Sequence, residues 1–168
     1  MSNMEKYLFI VNKICERINP GKKMIQKLFY LIERRGLKLD LDYSIHFFGP
    51  YSSVLDNSLH ILDSHDKINI DTTTKTHTIS CRLTSDEIIS LLPEEQEIVD
   101  FVIDSFCGKT ALELEAITTI DYVITSLLKT KTTDSEVIQE VKRIKGNKFS
   151  EECLVKQLKI LKDHNFVQ

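Results

Sequence analysis

Tyr43-Ser44-Ile45-His46-Phe47-Phe48-Gly49-Pro50-Tyr51-Ser52 is the stretch whose reading decides the fold. Its first six residues are β-type, rich in aromatic and β-branched side chains. Gly49-Pro50 ends that run and opens a helix, with Ser52 or Ser53 as its cap. A serine hydroxyl there accepts a hydrogen bond from an N–H that the first helical turn leaves unpaired. A short strand is thereby set between helices.

Upstream, Met4, Tyr7, Leu8, Val11, Ile14, Cys15 and Ile18 recur at helical spacing and make one apolar stripe. Asn19-Pro20-Gly21 breaks that helix. A second helix runs from Lys22 to Arg35 and stops at Gly36, with Ile25, Leu28, Phe29 and Ile32 as its core stripe. Downstream, Val54, Leu55, Leu59 and Leu62 give a third helix its core face. Lys67-Ile68-Asn69-Ile70 and His77-Thr78-Ile79-Ser80-Cys81 then read as a hairpin joined by the polar Asp71 to Thr76. Helix, helix, strand, helix, hairpin is a winged-helix-like order.

The remainder reads as helical. Capping boxes mark helix starts at Thr84 with Glu87, Thr110 with Glu113 and Thr133 with Glu136. Pro93 suits the first turn of a helix that Gly108 closes, and Ser150 caps the last helix, onto which Phe149 can staple at Leu154. Ile117 to Thr119 reads as a turn before a helix bearing Tyr122, Val123, Leu127 and Leu128, and Phe166-Val167 as a closing strand. The fold class is therefore mainly α (α+β). A winged-helix-like lobe with a small β-hairpin spans 1–83, and a helical lobe spans 84–168, packed on it as one unit.

Composition narrows the function. The chain has 168 residues, of which 42% are hydrophobic and 28% charged, which is globular rather than disordered composition. A balance of 22 basic against 25 acidic residues gives a charge of −3, no footprint for a dedicated nucleic-acid binder. No apolar run approaches the roughly 18 residues of a membrane span, and the N-terminus lacks a signal-peptide pattern. Cys15, Cys81, Cys107 and Cys153 are scattered and read as buried thiols. The expected compartment is the cytoplasm.

No catalytic constellation stands out, and no cofactor or metal is expected. The five glycines form no phosphate loop. Glu115 and Asp121 read as solvated helix faces rather than an acid–base pair. His60 and His65 do not share a helical face, and no CxxC or HxxxH spacing occurs. A Cys–His pair would have to meet in space, and no cysteine opens a helix beside a basic residue, which would lower its pKa.

Two surfaces remain for a partner. The helix before the hairpin, Tyr51 to Asp66, carries Asp56, Asp63 and Asp66 and no Lys or Arg, so DNA phosphates would repel it. A winged-helix transcriptional regulator is thus the alternative rather than the first reading. On the second helix, Lys23, Lys27, Tyr30 and Arg34 line one face opposite much of the core stripe. They form either an ordinary solvated face or a docking strip for an acidic partner with Tyr30 as anchor.

Met24-Ile25-Gln26-Lys27-Leu28-Phe29-Tyr30-Leu31, followed by Phe47-Phe48-Gly49-Pro50-Tyr51-Ser52, resembles the YwgA-like and SocA/Panacea group of bacterial and phage proteins. The signature of that group is a "KLQKLLY" helix and then an aromatic residue before "GP". Leu92-Pro93-Glu94-Glu95, Thr110-Ala111-Leu112-Glu113-Leu114 and the Lys145 to Val167 stretch are similar as well, so the resemblance covers nearly the whole chain. The chain departs at Ile25, where Leu is usual, and at Thr118-Thr119-Ile120, where the Panacea branch has "TH…W"; it has no Trp at all. The resemblance is therefore to the wider superfamily.

That resemblance implies a non-catalytic role, since Panacea-type domains neutralise toxin proteins and SocA delivers its toxin to a protease. It matches Gln26, Lys27, Tyr30, Gly49, Pro50 and Tyr51. Gly49 and Pro50 are explained by the turn, whereas Gln26, Lys27, Tyr30 and Tyr51 are expected at the contact. The expectation is a protein-binding module, antitoxin-like or adaptor, that meets a partner protein such as a toxin encoded by a neighbouring gene. Its surface would comprise Lys23, Gln26, Lys27, Tyr30 and Arg34 with the Phe48-Gly49-Pro50-Tyr51 turn.

Overall fold

Helix signals within four residues of each end account for most of the element boundaries. In the computed structural model, which describes residues 2–83 and 90–168, the chain forms α1 (Asn3–Cys15), α2 (Lys22–Arg34), β1 (Ser44–His46), β2 (Gly49–Tyr51) and α3 (Ser53–Ser64). There follow β3 (Ile68–Asp71), β4 (Thr78–Cys81), α4 (Pro93–Phe106), α5 (Ala111–Tyr122), a π-helical stretch (Val123–Leu128), α6 (Asp134–Lys145) and α7 (Glu151–Asp163). The fold is mainly helical, with small two-stranded sheets.

Capping boxes open α5 at Thr110 and Glu113 and α6 at Thr133 and Glu136, and Ser150 caps α7. The box read at Thr84 and Glu87 lies outside the described residues. Three helices end alike. In each, the second residue past the cap donates its N–H back into the helix: Leu37 to Ile32, Lys67 to Leu62 and Phe166 to Leu161. Gly36, Asp66 and Asn165, one residue earlier, take the positive φ that this closure requires. Phe166-Val167 is consequently not a strand, because the Phe166 N–H is spent on the end of α7.

Three other expectations change. Gly49-Pro50 does not open a helix: it turns back as β2, which pairs antiparallel with β1 in the register Ser44↔Tyr51, Ile45↔Pro50 and His46↔Gly49. Helix α3 starts only after Ser52, whose hydroxyl accepts from the Leu55 N–H. The strand read beside the winged-helix elements thus stands apart from the β3–β4 hairpin, in a sheet of its own. Ile117 to Thr119 is not a turn either. These β-branched residues have modest helix propensity, but all are buried inside α5, and burial outweighs propensity. The Thr118 hydroxyl donates to the Leu114 carbonyl at 2.8 Å, which pairs it within the helix. Tyr122 ends α5 and Val123, Leu127 and Leu128 continue it in the π-helical stretch, with no separate helix.

The chain divides into two compact units, Met1–Tyr43 with Ser52–Lys109, and Ser44–Tyr51 with Thr110–Gln168. This differs from a division at residue 83. Helix α4 belongs with α1, α2, α3 and the β3–β4 hairpin, whereas the β1–β2 hairpin belongs with α5, α6 and α7. The first unit buries Ile10, Val11 and Ile14 of α1 with Ile25, Leu28 and Phe29 of α2, Leu55 and Leu59 of α3, Ile79 of β4 and Phe106 of α4. The second buries Ile117 and Ile120 of α5 with Val141 of α6 and Leu154 and Leu161 of α7, and β2 packs on α5. None of the described helices is long and apolar enough to cross a membrane.

Candidate partner-binding surface

The α2 face expected to be a docking strip is mostly interior. Gln26, Lys27 and Tyr30 are only 2%, 3% and 3% exposed, while Lys23 is exposed and Arg34 half-buried. Gln26 has a structural task. Its amide nitrogen donates to the Ser52 carbonyl at 2.8 Å, and its amide oxygen accepts from the Ser52 N–H at 2.9 Å. Both polar ends of a buried side chain are thereby paired, and α2 is tied to the start of α3. Ser52 completes the junction by donating its hydroxyl to the Leu41 carbonyl.

Tyr30 packs edge-on against Tyr43, ring centroids 5.0 Å apart, and the Tyr43 hydroxyl donates to the Gln26 carbonyl at 3.2 Å. Burial first, then the nearby Glu33 carboxylate, pushes the Tyr43 hydroxyl well above its ordinary range, so it stays a protonated donor. Periodicity missed this because it identifies one apolar stripe on α2; the helix is buried around more of its girth than that stripe covers.

Of the turn residues, Gly49 and Pro50 are buried in β2, and Tyr51 is half-buried against the His46 ring at 4.8 Å. Gly49 takes φ +88°, the left-handed value that glycine tolerates and that lets the hairpin close after Phe47-Phe48. Phe48 is 42% exposed, and its neighbour Phe47, absent from the expected surface, is 76% exposed. Lys23, Gln26, Lys27, Tyr30 and Arg34 lie in the first unit and Phe48 to Tyr51 in the second.

Around the hairpin tip the second unit builds a different arrangement. Lys145, the last residue of α6, donates to the carbonyls of His46 at 3.2 Å and Phe47 at 2.5 Å, and to Glu115 Oε1 at 3.0 Å. Lys148 bridges both Glu115 oxygens at 2.7 and 2.8 Å. Its ammonium also lies 4.9 Å from the Phe47 ring centre and 5.0 Å from that of Phe48. The two phenylalanines meet edge to face at 4.9 Å. A recess of about 510 Å³ opens here, lined by Ile45, His46, Phe47, Ile144, Lys145 and Lys148.

Glu115 is buried, as is Asp121, so neither is the solvated helix-face carboxylate that the sequence suggested. Two ammonium groups flank the Glu115 carboxylate, which is what permits its burial. Burial pulls the Lys145 pKa below its ordinary value, opposed by the Glu115 charge. The sequence carried a signal for this cluster in the Phe47-Phe48 pair, an uncommon choice for a hairpin tip. Nothing local linked that pair to Lys145 and Lys148.

The cluster offers aromatic area and charge. Among the described residues, no group of three or more His, Cys, Asp or Glu side chains is placed to share a metal ion. No family model and no curated protein matches the chain.

Proposed function

We propose that the chain is a non-catalytic protein-binding module, of antitoxin or adaptor type, that engages a partner protein through the tip of the β1–β2 hairpin. The observation that carries this reading is the exposure of Phe47, a large aromatic side chain presented to solvent on a braced hairpin. Interfaces draw most of their binding free energy from a few aromatic or arginine anchors, and an anchor held in place beforehand loses less entropy on docking. Phe48 at its edge and the stem of Lys148 beside both rings would complete the anchor. The resemblance to the YwgA-like and SocA/Panacea superfamily supports the same class, and a toxin encoded nearby is the first partner to try. The site of action proposed is the cytoplasm.

Lys23 and Arg34 are not required by this reading, and Gln26, Lys27 and Tyr30 serve the fold. The test is affinity capture from the native cell with the wild-type chain and with Phe47→Ala/Phe48→Ala. A specific partner retained by the first and lost by the second is the expected result. Equal recovery by both overturns the placement of the surface.

The order α1, α2, α3, β3, β4 favours a second reading, a DNA-binding regulator of winged-helix type. Against it, α3 carries Asp56 and Asp63 and no Lys or Arg, and exposes Val54 and Ile61. A duplex mobility shift at low salt would favour the regulator; its absence removes that reading.

A further inference from the structure

Cys15 and Cys81 are 66 positions apart in the chain, yet the fold brings their side chains together within the first unit. Cys15 is the last residue of α1 and Cys81 the last of β4, and α1 packs against β4. The Cys15 thiol lies 3.6 Å from the carbonyl of Ile79. Ile79 is buried on the inner face of β4, and in a strand the residue two positions on shares that face. That residue is Cys81, so the α1–β4 contact sets the Cys15 thiol beside it. Both are half-buried, so a small reagent can reach them.

We infer that Cys15 and Cys81 form a reversible redox site that a low-molecular-weight disulfide converts to an intramolecular disulfide joining α1 to β4.

The chemistry balances. The Cys15 sulfur, as thiolate, attacks one sulfur of the reagent disulfide. The reagent S–S bond breaks, and its other half leaves as a thiolate that takes up a proton. Cys81 then loses its proton to solvent and its sulfur attacks the Cys15 sulfur of the mixed disulfide, expelling the second reagent thiol. Two protein thiols are oxidised and one reagent disulfide is reduced to two thiols. Cys15 attacks first: the neighbouring Cys81 thiol holds the Cys15 thiol below the ordinary value, whereas Cys81 is pushed up.

The bond would add a covalent tie to a seam already closed by hydrogen bonds, since Ile79 N–H donates to the Pro20 carbonyl at 2.8 Å and Gly21 bridges to Thr78. Oxidation would thus clamp the end of α1, the α1–α2 connection and the β3–β4 hairpin together. Cys107 lies in the same unit and Cys153 in the other.

The full chain is incubated with oxidised glutathione in excess over reduced glutathione. Remaining thiols are counted after unfolding in a thiol-blocking reagent, and unreduced peptides are mapped by mass spectrometry. The expected result is loss of two of the four thiols, a single Cys15–Cys81 cross-linked peptide and a raised melting temperature that dithiothreitol reverses. The Cys107→Ser/Cys153→Ser variant should behave as wild type, and Cys15→Ser should yield no intramolecular disulfide. Four intact thiols, glutathione adducts without cross-linking, or a cross-link through Cys107 or Cys153 would each overturn the proposal. The wild-type peptide map decides the matter even if the Cys15→Ser chain fails to fold.

Discussion

The ammonium of Lys145 donates to the carbonyl oxygen of Phe47 at 2.5 Å, so the α6 C-terminus braces the hairpin tip from which Phe47 projects. The exposed side chain and its support come from residues 98 positions apart. Removing the brace and removing the ring should therefore have separate effects.

Lys145→Met keeps the aliphatic stem and deletes the charge. Glu115 then retains only Lys148, and two hairpin carbonyls lose their donor. Breaking a buried ion pair from one side destabilises by roughly 3–5 kcal/mol; with Lys148 still present, about 3 kcal/mol is expected. Urea unfolding of the variant against wild type measures it, and a loss within error would show that the brace contributes nothing.

Phe47→Ala removes an exposed ring and should leave unfolding free energy within about 0.5 kcal/mol. If Phe47 anchors a partner, the same change should weaken binding by about 2 kcal/mol, roughly 30-fold. Titration calorimetry with the captured partner reads the second quantity, and denaturant melts read the first. Unchanged affinity would exclude the ring from the interface.

Tyr30→Ala and Lys23→Ala separate the interior face of α2 from its exposed edge. Loss of the buried Tyr30 ring should destabilise the fold by about 3–5 kcal/mol, whereas Lys23→Ala should change it by less than about 0.5 kcal/mol. Thermal denaturation of the pair suffices. Comparable small effects would mean that Tyr30 is not the core residue its burial indicates.

Gln26→Leu conserves apolar volume but leaves the buried Ser52 N–H and carbonyl without their side-chain partner. Each unsatisfied group carries about 1–3 kcal/mol, so a loss of about 3 kcal/mol is expected. Gln26→Glu should lose less, because one acceptor for the Ser52 N–H survives.

Acid should weaken the helix starts. Hydrogen bonds from the Thr133 backbone N–H and then its hydroxyl hold the Glu136 carboxyl below its ordinary value of 4.5, and Ser2 does the same for Glu5. A depressed folded pKa stabilises the native state fully above the unfolded value, and the gain is lost as pH falls through the folded one. Melting temperature should therefore drop as pH is lowered below about 4.5, and Glu136→Gln should flatten that dependence. A variant with the wild-type pH profile would remove Glu136 from the account.

What the amino-acid order determined by itself were features whose causes act over a few residues. The Thr110 and Thr133 capping boxes, the Ser52 and Ser150 caps, Pro93 in a first turn and the apolar stripes of α1 and α2 depend on neighbours within about one or two helical turns. The acidity of α3 was equally plain, because charge is counted without knowing where the chain goes. Tertiary structure alone decided which polar side chains leave the surface. Lys27, Tyr30, Glu115 and Asp121 are buried because elements distant in sequence cover them, and a stripe computed on one helix carries no record of a second cover. It likewise decided that Gly49-Pro50 turns back as a strand, since pairing with β1 competes with helix initiation and wins. It set Lys145 under Phe47 and Cys15 against Cys81 for the same reason: burial and hydrogen bonding act through space, and no spacing along the chain encodes a meeting between its distant parts.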